Sequence, residues 1–137
     1  MVVSPLDRMN YFKGILLLYQ KKIDERDPLE EYIKKFVNIL RFDPAFYEFT
    51  MRDIMSNLPA IDEPPHFLGK EMAKIFVKDC IKLAFEKKVV HSQELDWLHQ
   101  VVIKNQLGDE WLATELLNFL KLKEVNTKNP LEIERYV

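Results

Sequence analysis

Residues 66–85 read HFLGKEMAKIFVKDCIKLAF, and this stretch decides the fold class. Its apolar residues recur at spacings of three and four, which places them along one side of an α-helix rather than on the alternating faces of a strand. The stripe consists of Leu68, Met72, Phe76, Cys80, Leu83 and Ala84. We therefore expect a long helix that begins near His66, ends before Val89 and buries this stripe in the core.

The same periodicity continues on both sides of this stretch. Three pairs join an N-capping residue to a proline, which suits the first turn of a helix, and so predict helix starts. These pairs are Ser4–Pro5, Asp27–Pro28 and Asp43–Pro44. Ser92 and Asp109 predict two further caps, and Gly108 suits the end of the helix between them. With hardly any strand pattern, we expect an all-α protein, a compact bundle of about six to seven helices.

Periodicity also predicts which side chains of the other helices face inward. In the first helix these are Met9, Phe12, Leu16 and Tyr19, and towards the C-terminus they are Leu95, Leu98, Val101, Val102, Trp111, Leu112, Leu116, Phe119 and Leu120.

The length of 137 residues predicts a single domain, over 1–124. Three prolines and two acidic residues in 57–65 predict a linker between two halves, 5–56 and 66–123. The apolar periodicity fades after 124, so we expect 125–137 to be a partly mobile C-terminal tail.

An internal repeat supports this division. Residues 19–23 (YQKKI) match 85–89 (FEKKV) at an offset of 85 − 19 = 66, and later apolar positions match at an offset of 65. The matched pairs are Ile33 with Leu98, Phe36 with Val101, Val37 with Val102, Phe42 with Leu107, Phe46 with Trp111, Ile54 with Phe119 and Met55 with Leu120. Two similar three-helix units around one core explain the register, although two unrelated amphipathic helix pairs with similar loops would align comparably.

Charge and cysteine content narrow the classes of partner. Twenty basic against 22 acidic residues leave a net charge of −2, so no overall field favours nucleic acid, and we expect no nucleic-acid partner. Cys80 is the only cysteine, which excludes an intrachain disulfide. No apolar run approaches the ~20 residues of a membrane span, and we expect a cytoplasmic protein without a transmembrane segment.

One segment is similar to a known family. Asp79 lies inside a predicted long helix that ends in Ala84-Phe85, and Glu94 opens a following helix that carries the pair Trp97-Leu98. Over 67–107 these features resemble the TerB-like (tellurite resistance protein B-like) family. The resemblance implies a fold built from two halves, a role in stress or tellurite response, metal binding at acidic surfaces and membership of membrane-associated complexes.

The loop of this segment differs from the family pattern. Lys87 and Lys88 stand where the family loop carries aspartate and glycine. A protonated lysine offers no lone pair to a cation and repels it, so we expect this loop to bind no divalent metal.

Several acidic and histidine side chains are candidate metal ligands, while no cofactor is predicted. They are Asp24, Asp27, Asp79, Glu86, His91 and Glu94. Asp24 and Asp27 belong to a run of oxygen donors that is also typical of a solvated helix start. Asp79 flanks the apolar stripe, which favours a structural ion pair or a helix-cap partner over a ligand. For His91 and Glu94, a Ser92 cap with Glu94 near the helix dipole explains the same residues.

The chain offers no catalytic constellation, and we predict no catalytic residue. It has no glycine-rich phosphate loop, nucleophile elbow or His-Glu-x-x-His pair. Cys80 falls on the apolar stripe as an inert core residue, and His99 is expected to be a half-buried packing residue.

Three hypotheses follow, and the first is favoured. It is a non-enzymatic interaction module that binds an unidentified protein. The second is a metal-binding stress protein that uses acidic residues of the first half. The third is a hydrolase that would use Asp79, Glu94 and His91 around a pocket.

Overall fold

The computed structural model describes residues 2–21, 28–43, 45–46, 48, 52–53, 63–86, 90–121 and 130–137. Over these ranges the chain is all-helical and contains no strand, which confirms the predicted fold class. Five α-helices have defined bounds: α1 Pro5–Lys21, α2 Leu29–Ile39, α3 Lys70–Phe85, α4 Ser92–Lys104 and α5 Asp109–Lys121. A 3₁₀ helix follows at Glu132–Arg135. The count of about six to seven helices and the similarity of two halves stay predictions.

The predicted helix after Asp43 falls largely outside the described residues. Ala45, Phe46, Glu48, Arg52 and Asp53 are helical. Its positions Ile54 and Met55 are not described, and neither is most of the predicted linker 57–65.

Helix α1 is the central element of the core. Its buried apolar side chains point in several directions rather than along one stripe, because α1 packs against α2, α3 and α4. They are Tyr11, Phe12, Ile15, Leu16, Leu17, Leu18 and Tyr19. Gly14 permits the close approach of α3, since a Cβ at this position would lie 2.5 Å from Cζ of Phe76. The sequence predicted a one-sided helix here and therefore missed four of these seven residues, Tyr11, Ile15, Leu17 and Leu18.

Helix α3 is the second element of the core and confirms most of its predicted stripe. Met72, Phe76, Cys80, Leu83 and Ala84 are buried. Phe36, Val37, Phe76, Leu83, Leu98 and Val101 belong to one hydrophobic cluster, as expected from the periodicity. The predicted start near His66 is wrong, because the helix begins at Lys70. Leu68 consequently precedes the helix and is 70% exposed.

Two of the predicted caps are confirmed. Ser4 Oγ accepts the Asp7 N–H at 3.1 Å, and Asp43 Oδ1 accepts the Ala45 N–H at 2.9 Å. Each bond satisfies one of the donors that a helix start leaves without an intrahelical partner. Asp27 lies outside the described residues, and Pro28 takes the cap position of α2.

The ends of α2 and α4 share one geometry. Arg41 has φ 57° and Gln106 has φ 55°, and 106 − 41 = 65, the offset of the sequence repeat. The Phe42 N–H donates to the Val37 carbonyl at 3.0 Å, and the Leu107 N–H donates to the Val102 carbonyl at 3.0 Å. Both helices therefore close in a Schellman motif at matched positions.

This geometry corrects the prediction for Gly108. Gln106, not Gly108, is the left-handed residue that ends α4. Gly108 has φ 87°, and its carbonyl accepts the Leu112 N–H at 3.3 Å, so it precedes α5 in the position predicted for Asp109.

The C-terminal segment 130–137 packs on α3. Its side chains Leu131 and Ile133 are buried in the core cluster. The partial mobility expected of 125–137 stays a prediction, and the rest of that tail lies outside the described residues.

Candidate functional site

Asp79 is one of four buried polar side chains among the described residues, with Asp7, Glu94 and Asn105. It lies in the middle of α3 and is only 1% exposed. Its Oδ2 accepts the Tyr11 hydroxyl at 2.7 Å and the Ile133 N–H at 3.1 Å, and its Oδ1 accepts the Glu132 N–H at 2.6 Å. All three partners donate, an arrangement that complements an ionised carboxylate.

Burial and hydrogen bonding act in opposite directions on this carboxyl group. Burial raises the pKa of Asp79 to about 6, against the lowering effect of the bonds from Tyr11, Glu132 and Ile133. Burial, followed by the nearby charge of Asp79, raises the pKa of Tyr11 well above its usual value. Tyr11 therefore stays a hydroxyl donor at neutral pH, while the pKa of Asp79 lies just below neutral pH.

The Asp79 carboxylate caps the C-terminal 3₁₀ helix. The N–H groups of Glu132 and Ile133 are in its first turn, where no intrahelical acceptor is available. The interpretation of Asp79 as a helix-cap partner is confirmed, and the capped helix is distant in sequence. This bond network joins three elements: α1, α3 and the C-terminal segment.

Glu94 and His91 also form a cap, at a position one residue earlier than predicted. His91 precedes the first residue of α4, so Ser92 is not the cap. The fully buried Glu94 accepts the His91 N–H on Oε1 at 3.2 Å. A glutamate that reaches back to the cap N–H is half of a capping box, which gives this carboxylate a structural explanation.

The predicted metal candidates do not form a cluster in the described part of the chain. There, no group of three or more histidine, cysteine, aspartate or glutamate side chains is placed to share a metal ion. Glu86 directly follows α3 and is half-buried. Asp24, Asp27, Lys87 and Lys88 lie outside the described residues, so the predictions about them are unchanged.

Two single-residue predictions have different outcomes. Cys80 is fully buried, and this burial raises the pKa of its thiol well above the usual value, which confirms a core position. His99 is exposed rather than half-buried. Its Nε2 lies 2.8 Å from Oδ1 of Asp109, so it links α4 to the start of α5.

A cavity of about 470 Å³ lies beside α1, and the described residues that line it include none of the predicted metal candidates. Asn10, Lys13, Pro65 and Lys104 contribute to its wall. Lys104 Nζ lies 2.6 Å from Oε1 of Glu63, and the hydrogen bond from Lys104 lowers the pKa of Glu63. Glu63 thus compensates the charge of Lys104 within the cavity wall.

Helix α5 presents apolar side chains to solvent. Only Leu112 of this helix is buried, whereas Leu117 is 60% and Leu120 is 61% exposed. With Ala113 and the half-buried Leu116 they repeat at i, i+3, i+4 and i+7, and we refer to these four residues as the α5 face. The inward positions predicted for Leu120 and for Leu95 are wrong, since both side chains are exposed.

The described part of the chain has no helix that combines the length and the apolar character of a membrane span.

Three important polar residues carried no recognised sequence signal. They are Tyr11, Asp7 and Asn105. Asp7 Oδ1 accepts the Leu68 N–H at 3.0 Å. The Asn105 amide accepts the Phe67 N–H at 2.9 Å and donates to the Pro65 carbonyl at 2.8 Å. Only Asp7, three residues after the Ser4 cap, had a local pattern that could have identified it.

Comparison of the chain with protein-family models, curated proteins and solved structures finds no match. The described helices and the Asp79 bonds define an all-α protein with a buried carboxylate anchor.

Proposed function

We propose that the chain is a non-enzymatic helical interaction module of the TerB-like type, which binds a protein partner in a stress response similar to tellurite resistance. The observation that carries this proposal is the α5 face. Exposed leucines at helical spacing are typical of a surface that pairs with an apolar helix or groove.

The charges of α5 indicate the chemistry of the partner. Asp109, Glu110 and Glu115 outnumber the single Lys121, so α5 carries a net negative charge, and Asp109 and Glu110 precede the α5 face at the start of the helix. A partner that offers an apolar strip with basic residues at its margin complements this surface. Membership of a membrane-associated complex and a cytoplasmic location are parts of the same proposal, derived from the resemblance and from composition.

The TerB-like assignment includes two similar halves, about 5–56 and 66–123. The matched Schellman motifs at Arg41 and Gln106 support it, because they occur at the repeat offset. The burial of matched pairs supports it as well, since Ile33 and Leu98 are both fully buried.

The alternative, a metal-binding stress protein, depends on Asp24 and Asp27. Titration calorimetry with Ca²⁺, Mg²⁺ and Zn²⁺ distinguishes the two hypotheses. Binding that Asp24→Asn and Asp27→Asn remove would support the alternative.

The α5 face is tested with the variant Leu117→Glu/Leu120→Glu and a matched control, Ile103→Glu. Ile103 is a 61% exposed apolar residue on α4, so its replacement adds a comparable surface charge elsewhere. A partner recovered by affinity purification is then purified and titrated against all three chains. We expect the α5 variant to lose at least about tenfold in affinity and the control to retain it. Equal affinity of both variants would contradict the proposal.

A further inference from the structure

Residues 130–137, which we refer to as the strap, form a locally organised unit. Glu134 Oε2 accepts the Leu131 N–H at 2.6 Å. The Glu134 N–H donates to the Leu131 carbonyl at 3.1 Å, and the Tyr136 N–H donates to the Ile133 carbonyl at 3.0 Å. Because these bonds lie within the strap, much of its backbone hydrogen bonding does not depend on the rest of the protein.

The strap is attached to the body by apolar packing on the core and by hydrogen bonds to α3. Leu131 and Ile133 bury their side chains in the core cluster. The N–H groups of Glu132 and Ile133 donate to Asp79, and Lys82 Nζ donates to the Pro130 carbonyl at 3.3 Å. Tyr136 and Val137 are partly buried and pack against the same cluster, so the attachment combines apolar contacts along the strap with one charged acceptor.

The surface beneath the strap has the composition of a peptide-binding groove. Tyr11 supplies only one of the three donors to Asp79, and the strap supplies the other two. Without the strap, α3 would offer a carboxylate with free acceptor positions and two apolar sites beside it. Backbone N–H groups and alternate apolar side chains of a bound peptide satisfy such a surface.

We propose that the strap is displaceable, and that the groove beneath it on α3 then binds a peptide segment of another protein. The sequence of this segment has the same chemistry as the strap. That segment has apolar residues two positions apart, corresponding to Leu131 and Ile133. The two backbone N–H groups that follow the first apolar residue bond to Asp79. This groove is separate from the α5 face, and the inference stands whether or not that face binds a partner.

In this arrangement the strap is an intramolecular competitor. The strap and the groove belong to the same chain, so the strap competes with any free peptide at a high effective concentration. A free peptide at micromolar concentration cannot compete with the closed strap. Binding in trans therefore requires the strap to open.

The first test uses hydrogen exchange in the wild-type chain. If the strap opens by itself, the amides of Glu132 and Ile133 exchange at least ~10-fold faster than those of Phe76 and Val77 in α3. Equal rates that respond alike to denaturant would show that the strap opens only with global unfolding and would overturn the proposal.

The second test adds a fluorescent, N-acetylated peptide PLEIERYV to full-length variants. Ile133→Glu places a charge in a fully buried position and is expected to release the strap. Arg135→Lys, at an exposed strap position, keeps the positive charge that faces Glu132 at 3.4 Å and is the matched control that leaves the strap closed. We expect the peptide to bind the Ile133→Glu chain at least about tenfold more tightly than the wild-type or control chain.

Asp79 supplies the specificity control. Adding Asp79→Ala to the Ile133→Glu chain is expected to abolish peptide binding, and a peptide with glutamate in place of isoleucine is expected not to bind. Binding that does not depend on Asp79 would overturn the proposal. So would absence of binding, or loss of helical circular dichroism in the Ile133→Glu chain, because the strap would then be an integral part of the fold. None of these results affects the test of Leu117 and Leu120.

Discussion

The Tyr11 hydroxyl donates to Oδ2 of Asp79 at 2.7 Å, a contact between residues 68 positions apart in the sequence. It is the only bond from α1 to this carboxylate among the described residues, and the other two donors come from the C-terminal segment. A buried carboxylate that loses a donor bears the full cost of its desolvation. The stability of the core should therefore depend on this hydroxyl.

Replacing Tyr11 with phenylalanine tests this dependence. Tyr11→Phe removes the donor and keeps the ring that packs edge-to-face on Phe76 at 5.3 Å. We expect the free energy of unfolding to fall by about 1–3 kcal/mol in urea denaturation at pH 7. Tyr32→Phe is the control, since its ring also packs in an aromatic cluster, and should cost clearly less. Equal losses in the two variants would contradict the role of the Tyr11 bond.

The pH dependence of stability should show the raised pKa of Asp79. Burial raises this pKa from its usual 3.8 to about 6, so the folded state binds the proton more tightly than the unfolded state. The stabilising effect of the proton is complete below pH ~4 and is lost as the pH rises through about 6. The difference of about 2 pH units corresponds to roughly 3 kcal/mol.

Asp79→Asn separates this effect from other titrations. Its neutral side chain removes the Asp79 contribution, so the difference in unfolding free energy between wild type and variant should change by roughly 3 kcal/mol between pH 4 and pH 7. Denaturant titrations across this range measure it. Parallel curves for the two proteins would contradict the prediction.

The contact between Gly14 and Phe76 leaves no space for a methyl group. A Cβ at position 14 would lie 2.5 Å from Cζ and 2.8 Å from Cε1 of Phe76. We expect Gly14→Ala to destabilise by about 1–3 kcal/mol, although alanine favours a helix. In a Phe76→Leu background the clash is relieved, so the same substitution should cost at least ~1 kcal/mol less. Additive effects in denaturation of the double variant would contradict this packing.

The parts of the fold that the sequence predicted correctly are determined locally. Ser4 and Asp43 cap the turns directly after them, and the stripe from Met72 to Leu83 follows from helical spacing alone. The need of Asp79 for a partner could also be inferred, because a carboxylate beside an apolar stripe must be satisfied.

The identity of those partners could not be predicted. Tyr11 and Glu132 reach Asp79 from 68 and 53 positions away, and periodicity carries no information about such contacts. Leu120 is a second example in which helical spacing does not predict tertiary contacts. Its spacing matches a buried stripe, but whether another element covers that stripe depends on tertiary packing.

The loop substitutions Lys87→Asp and Lys88→Gly test the implied metal role. Aspartate adds an oxygen donor and glycine allows positive φ, so divalent-ion affinity should appear in this double variant and be absent from the wild type. Calorimetry measures it, with Lys34→Asp/Lys35→Gly as a control on α2. Tight wild-type binding that Glu94→Ala abolishes would contradict this prediction and favour a metal-binding role of the second half over the interaction module.

The two Schellman motifs give a matched pair of stabilising variants. Arg41 and Gln106 are exposed residues with positive φ, a conformation that costs a residue with a Cβ about 1 kcal/mol and costs glycine almost nothing. We expect Arg41→Gly and Gln106→Gly each to raise the free energy of unfolding by roughly 0.5–1 kcal/mol, as measured by urea denaturation. Arg41→Ala and Gln106→Ala are the controls and should give no gain, because they keep the Cβ. If the halves are structural copies, the two glycine gains should be similar and additive, since the two sites end different helices. A gain at one site and a loss at the other would show that the two helix ends are strained differently, and would contradict the proposal of two similar halves.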